Sequence, residues 1–268
     1  MNEPPRTSLC ICLSALLVFN AARACAGTKS VHVFVALADN KHQGIVPVPA
    51  ALGNGDDPGN NLYWGALYGV KTYLRQSPDW TLVLTTRNPT TNVLERCVFQ
   101  DKKADVLLIA DAYKGSAIQQ AVTGFLSAAG GNNAAHLPVV GKRADTHGGA
   151  DLVAYVGHNG LMEFTVQDAT VRAGNEGRDA IVLACKSKPY FGPWLSRLKA
   201  RPVLLTTGLM APEAYTLQAA IEGWASGATP ESIRERSAQA YHRYQKCGIN
   251  GARRLFYSGT RRTRVETR

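Results

Sequence analysis

Short segments that are apolar throughout recur along this chain and alternate with segments of helical periodicity. Six of them are predicted strands, at residues 31–38, 80–85, 105–110, 152–156, 180–184 and 202–206. A strand that is apolar on both sides must be covered on both faces, which is typical of a parallel sheet whose crossover connections are helices. We therefore predict a single three-layer α/β domain with a mostly parallel sheet of about six strands.

The segments between these strands supply the predicted helices. They lie at residues 61–75, 115–129, 212–225 and 230–246, with a short helix at 93–99 and a long loop at 130–150 that is briefly extended at 137–140. Pro212 and Pro230 suit the first turn of the two C-terminal helices. In sheets of this kind, functional sites form at the carboxyl ends of the strands.

The first 26 residues have the pattern of a secretory signal peptide. Arg6 precedes an apolar run at 9–19, which is too short to span a membrane as a mature helix, and Ala24-Cys25-Ala26 supplies a small-residue cleavage pattern. We expect cleavage after Ala26. The mature domain, residues 27–268, is then exported to a periplasm or secreted, without stable insertion into a membrane.

The formal net charge of the chain is +10, and basic charge of this size can indicate a polyanionic partner. The lysines and arginines are scattered, apart from a group near the C-terminus formed by Arg253, Arg254, Arg261, Arg262 and Arg264. Since no nucleic-acid-binding motif accompanies them, we predict no nucleic-acid partner.

Three cysteines remain once the signal peptide is removed: Cys97, Cys185 and Cys247. In an oxidising compartment, an odd number leaves one thiol unpaired. Cys97 and Cys247 both lie away from the predicted strand ends, whereas Cys185 directly follows one. We therefore predict a Cys97–Cys247 disulfide and a free Cys185.

Two strands that are consecutive in the chain each end in a chemically reactive residue. His158 follows the strand at 152–156, and Cys185 follows the strand at 180–184, 27 positions later. If the strands are neighbours, their ends lie about 5 Å apart, close enough for an imidazole to activate a thiol as a nucleophile. Gly160 leaves room for a substrate carbonyl, and its N–H, with that of Cys185, could hold an oxyanion.

This pattern resembles the caspase-like cysteine peptidases, which include caspases, legumains, gingipains and metacaspases. Their hallmark is a strand ending in His-Gly followed by a strand ending in Ala-Cys. Here Asn159 stands between His158 and Gly160, while Ala184-Cys185 matches. The resemblance covers residues 30–225 and implies a caspase/hemoglobinase-like fold, with Cys185 as nucleophile and His158 as general base or acid. It implies a peptide or protein substrate and a thioester intermediate. We predict no cofactor, and no metal because the spacing of His136, His147 and His158 matches no ligand pattern.

The same resemblance implies that the loop after the first strand lines the pocket for the residue before the cut. That loop reads DNKHQG at 39–44, and its Lys41-His42-Gln43 is similar to the Arg-His-Gln of legumains, which cut after asparagine. Lys41 would suit an acidic or amide side chain, whereas Asp39 or Asp111 would suit a basic one. The sequence does not choose between these possibilities.

Two other interpretations of the chain stay open. One is a non-catalytic binding protein on the same fold, secreted or periplasmic, in which Cys185 packs as a small apolar residue. The other is an enzyme that transfers an amide group instead of hydrolysing it.

Overall fold

The computed structural model describes residues 28–139, 141–167 and 171–259. The predicted signal peptide at 1–26 and the arginines at 261, 262 and 264 lie outside these ranges. None of the helices in the described ranges is long and apolar enough to cross a membrane.

Ten strands and six α-helices are formed by the described residues. In chain order they are β1 (Lys29–Ala36), α1 (Val70–Gln76), β2 (Trp80–Thr90), β3 (Val93–Asp101), β4 (Val106–Tyr113), α2 (Ile118–Ala129), β5 (Ala135–Val139), β6 (Lys142–Thr146), β7 (Leu152–Val156), β8 (Asp179–Leu183), α3 (Ser187–Arg197), β9 (Arg201–Thr206), α4 (Ala214–Ala225), α5 (Pro230–Gln245), α6 (Ile249–Leu255) and β10 (Phe256–Tyr257).

Eight of these strands form one mixed sheet in the order β10-β9-β8-β7-β1-β4-β3-β2. The five central strands, β9, β8, β7, β1 and β4, are parallel to one another. The outer strands β10, β3 and β2 run antiparallel to their inner neighbours. The prediction of an α/β fold is confirmed, but the prediction of about six mostly parallel strands is wrong because the antiparallel additions make the sheet larger and mixed.

The largest error concerns residues 93–99, which form β3 and not a short helix. This strand pairs with both β2 and β4. Its alternate residues Val93, Glu95, Cys97 and Phe99 are buried, as the period of two in a strand requires. Pairing on both sides therefore determines the structure of this segment, whose pattern is too short to exclude a helix.

The predicted helix at 61–75 is also shorter than expected, since only Val70–Gln76 is helical. The preceding turns are held against the end of β1 by the buried Asn61 side chain. Its Oδ1 accepts the Ala38 N–H at 3.0 Å, and its Nδ2 donates to the Ala38 carbonyl at 2.8 Å. Helix α3, which begins two residues after Cys185, was not predicted at all.

Helices cover both faces of the sheet. On one face, Val31, Val33 and Val35 of β1 pack in a core that includes residues of α1, α4, α5 and α6. On the other face, Phe34 and Ala36 pack in a core with residues of α2 and α3. The β5–β6 hairpin extends the second face over β3 and β4. The arrangement is three-layered, and it leaves the carboxyl ends of the parallel strands at one edge.

Candidate active site

His158 and Cys185 lie at corresponding positions beyond two neighbouring strands. Val156 of β7 pairs with Leu183 of β8, and the Gly157 N–H extends the pairing by donating to the Leu183 carbonyl at 3.2 Å. Each reactive residue lies two positions beyond this last pair, where parallel strands are about 4.8 Å apart. Both line one cleft of about 240 Å³. The structure therefore brings together the two residues that the sequence singled out.

The turn that presents His158 depends on the residue before it. Gly157 has a φ of +148°, in a region that favours glycine. A Cβ at this position would lie 2.8 Å from the Ala36 carbonyl oxygen of the adjacent strand β1. Only glycine therefore lets the chain leave β7 this close to β1 and direct His158 into the cleft.

A buried amide connects the two strand ends. The Asn159 side chain is fully buried, and its Nδ2 donates to the Cys185 carbonyl at 2.7 Å. The Tyr155 hydroxyl donates to the His158 carbonyl at 2.7 Å on the same turn. Asn159, the residue that departs from the His-Gly pattern, thus fixes the backbone of Cys185 relative to that of His158.

The Cys185 sulfur contacts the loop after β9. The Met210 N–H lies 3.4 Å from Sγ, and the Met210 carbonyl lies 3.5 Å from it. The next residue, Lys186, has a φ of +49°, and its N–H donates to the Gly208 carbonyl at 2.8 Å. This turn begins α3 and leaves Cys185 half-buried on the wall of the cleft.

Glu163 is a site residue that the sequence interpretation missed. Its Oε1 lies 2.6 Å from His158 Nε2 and accepts the Gly44 N–H at 2.6 Å. Because a carboxylate only accepts, Nε2 carries the proton and Nδ1 is left as the basic nitrogen. The signal available in the sequence was a carboxylate five residues after the histidine; in the structure it directly follows a short turn at Gly160–Met162.

Gly160 lies close to the dyad, but the turn already uses its groups. Its N–H donates to the His158 carbonyl at 3.1 Å. A Cβ on Gly160 would lie 2.5 Å from the Phe164 ring, so the space beside it is filled by protein. These contacts argue against the predicted roles of Gly160 as an oxyanion donor and as space for a substrate carbonyl.

The predicted substrate residues Asp39, Lys41 and His42 line a different cavity of about 300 Å³. The Asp39 carboxylate is nearly buried and organises its own loop. Its Oδ1 accepts the N–H groups of Lys41 and His42 at 2.9 and 3.2 Å, and its Oδ2 lies 2.8 Å from His42 Nδ1. This loop reaches the cleft of His158 and Cys185 only through its last residue, Gly44, and the segment that follows.

Asp111 is fully buried and does not line the cleft of His158 and Cys185. Arg96 donates to its two carboxylate oxygens at 2.6 and 2.7 Å, and His32 Nε2 lies 3.1 Å from Oδ2. Burial acts to raise the pKa of Asp111, but these hydrogen bonds outweigh it and hold the pKa at about 2. The charge of Asp111 is satisfied within the fold, which argues against a role in substrate binding.

The predicted Cys97–Cys247 disulfide is wrong, because all three cysteines of the described ranges are free thiols. Cys97 lies on β3 inside the core, where burial raises the pKa of its thiol to about 11. Cys247 lies on the surface after α5. One sulfur is enclosed and the other exposed, so the two side chains do not meet.

Comparisons with protein-family models, with curated proteins and with solved structures find no match. In the described ranges, no group of three or more His, Cys, Asp or Glu side chains is arranged to hold a metal ion. The fold and the site define an α/β protein that carries a thiol and an imidazole at adjacent strand ends.

Proposed function

We propose that this protein is an exported, caspase-like cysteine hydrolase, an endopeptidase that uses Cys185 and His158. The observation that carries the proposal is the adjacency of β7 and β8, whose carboxyl ends deliver an imidazole and a thiol to one cleft. Functional sites of parallel α/β sheets form at this edge. Export rests on the signal-peptide pattern at 1–26.

In the proposed reaction, the hydrogen bond between Glu163 and His158 decides which ring nitrogen acts as the base. Glu163 holds the His158 ring by its Nε2–H, so Nδ1 takes the thiol proton and the Cys185 sulfur attacks the scissile carbonyl. His158 then gives this proton to the leaving amine, and a thioester remains on Cys185. Water, deprotonated by His158, attacks the thioester; the C–S bond breaks, the acid leaves, and His158 returns the proton to the Cys185 sulfur.

The tetrahedral intermediate needs donors for its oxyanion. We assign the Cys185 N–H as one donor and the Asn159 N–H, next to His158, as the other. The second assignment replaces the Gly160 N–H, which donates to His158. Loss of one such donor costs about 10²- to 10³-fold in kcat.

A non-catalytic binding protein is the second candidate. The Cys185 sulfur contacts both backbone groups of Met210. These contacts support the second candidate, because a thiol with a purely structural role would make them too. In that case the cleft binds peptide without cleaving it.

The test is cleavage of a peptide library by purified residues 27–268, with products mapped by mass spectrometry. We expect products from the wild-type protein, none from Cys185→Ala, and unchanged products from Cys247→Ala, whose thiol is exposed and outside the cleft. Undiminished cleavage by Cys185→Ala would refute the proposal. Peptide binding without cleavage by the folded wild-type protein would establish the second candidate.

A further inference from the structure

The cleft that contains Cys185 and His158 has an apolar lining. Besides the dyad and two glycines, its walls are formed by apolar and aromatic side chains, among them Val46, Tyr63, Met162 and Leu209. In the part of the chain that the structure describes, no Asp, Glu, Lys or Arg side chain lines this cleft. The nearby Glu163 carboxylate is already bonded to His158 Nε2 and to the Gly44 N–H. A charged substrate side chain entering the cleft would therefore lose hydration without gaining a free ion-pair partner.

Three of the apolar side chains that line the cleft are exposed to solvent. The described ranges expose five large hydrophobic side chains, and three of them, Val46, Met162 and Leu209, line this cleft. They are 86%, 41% and 70% exposed. Contiguous exposed apolar surface beside convergent polar groups is typical of a binding site.

These three side chains come from three different loops. Val46 lies in the loop after β1, Met162 in the loop after β7, and Leu209 in the loop after β9. All three strands are parallel, so their carboxyl-end loops meet around the strand end that bears Cys185. The apolar surface is therefore adjacent to the proposed nucleophile.

We propose that this cleft binds an apolar, uncharged side chain of the substrate residue preceding the scissile bond, and that Val46, Met162 and Leu209 select it. The inference rests on the proposed function and names its substrate class. A cavity of about 240 Å³ is smaller than the roughly 300–1,000 Å³ typical of sites for whole small molecules. It suits one side chain of a peptide whose main chain crosses Cys185.

The first test compares fluorogenic peptides that differ only in the residue before the cut. We expect Leu, Met and Phe to give kcat/KM values at least about 10-fold above those for Asp, Asn, Arg and Lys, as a hydrophobic pocket discriminates. A preference for a charged or amide residue would overturn the inference.

The second test places a charge in the cleft. Leu209→Asp should lower kcat/KM for the leucine substrate at least about 10-fold and raise the relative rate for arginine, with Val46→Asp as a second variant. Leu67→Asp is the matched control, because Leu67 is 57% exposed and does not line this cleft. Thermal unfolding of each variant checks that it is folded. Unchanged selectivity in folded Leu209→Asp and Val46→Asp would overturn the inference.

Alkylation by iodoacetamide, which carries no substrate side chain, separates the two proposals. If iodoacetamide modifies Cys185 and peptides are cleaved, but selectivity is not apolar, only the substrate class is wrong. If Cys185 is unreactive and no peptide is cleaved, the proposed function fails and this inference fails with it.

Discussion

At the scale of single residues, one buried amide connects the two halves of the proposed dyad. Asn159 Nδ2 donates to the Cys185 carbonyl, and Asn159 Oδ1 is buried without a partner in the described ranges. The sequence identified His158 and Cys185 because reactive residues at strand ends are a recognisable pattern. It did not identify Glu163 or the role of Asn159, since their partners are set by how the loops fold together.

Asn159→Leu tests this connection by removing the donor while keeping the side-chain size. The Cys185 carbonyl then loses its partner, and we expect the free energy of unfolding to fall by about 1–3 kcal/mol. The proposed cleavage rate should fall at least about 10-fold, because the two strand ends are no longer held together. Asn60→Leu, at an exposed asparagine, is the control. Equal effects of the two substitutions on cleavage would contradict the role assigned to Asn159.

At the scale of elements, continuous apolar runs predicted the five central parallel strands. These strands are buried on both faces, so their sequence carries the signal directly. The segment at 93–99 was misassigned because its structure is set by hydrogen bonds to β2 and β4. Helix α1 is shorter than its periodicity suggests because Asn61 holds the preceding turns against the end of β1.

Gly157→Ala tests how β7 ends. The substitution combines an unfavourable φ with a Cβ 2.8 Å from the Ala36 carbonyl oxygen, so we expect a loss of about 1–3 kcal/mol in the free energy of unfolding. Displacement of His158 should also slow the proposed cleavage. Gly251→Ala is the matched control: it lies in α6 with open space around its Cβ, and should stabilise the protein by up to about 1 kcal/mol. Chemical denaturation measures both changes, and a neutral Gly157→Ala would contradict this account of the turn.

At the scale of the whole molecule, a buried polar network joins three strands of the sheet to the turn that follows β6. Asp111 accepts from Arg96, and His32 Nδ1 accepts the His147 N–H at 2.9 Å. His32 Nε2 therefore carries a proton toward Asp111. These groups fix the register of β1, β3 and β4. Because Asp111 and Arg96 are paired with each other, neither charge is available to bind a substrate.

This network gives stability a two-stage dependence on pH. Burial lowers the pKa of His147 to about 4, so protonation of the unfolded chain reduces stability as the pH falls from about 6.5 to 4. Asp111, with a folded pKa of about 2, contributes about 2 kcal/mol above pH 4 that is lost as the pH falls to about 2. Urea denaturation at about pH 7, 4 and 2 measures both stages. His147→Gln should remove only the loss of stability between about pH 6.5 and 4. If this loss is unchanged in the variant, His147 is not its cause.

A second prediction about the whole molecule follows from its free thiols. Since Cys97, Cys185 and Cys247 are unpaired, dithiothreitol should leave the Tm of residues 27–268 unchanged. The unfolded protein should show three titratable thiols before any reduction. A single titratable thiol, or a Tm that falls on reduction, would show that a disulfide is present.

The coupling of Cys185 to His158 is measured most directly by the rate of alkylation at each cysteine. Purified residues 27–268 are treated with limiting iodoacetamide, and peptide mass spectrometry follows Cys185 against the exposed Cys247 as an internal standard. We expect Cys185 to react at least about 10-fold faster than Cys247, and His158→Ala to abolish this advantage, because the imidazole generates the thiolate. A Cys185 that reacts more slowly than Cys247 and is indifferent to His158→Ala would contradict the proposed dyad.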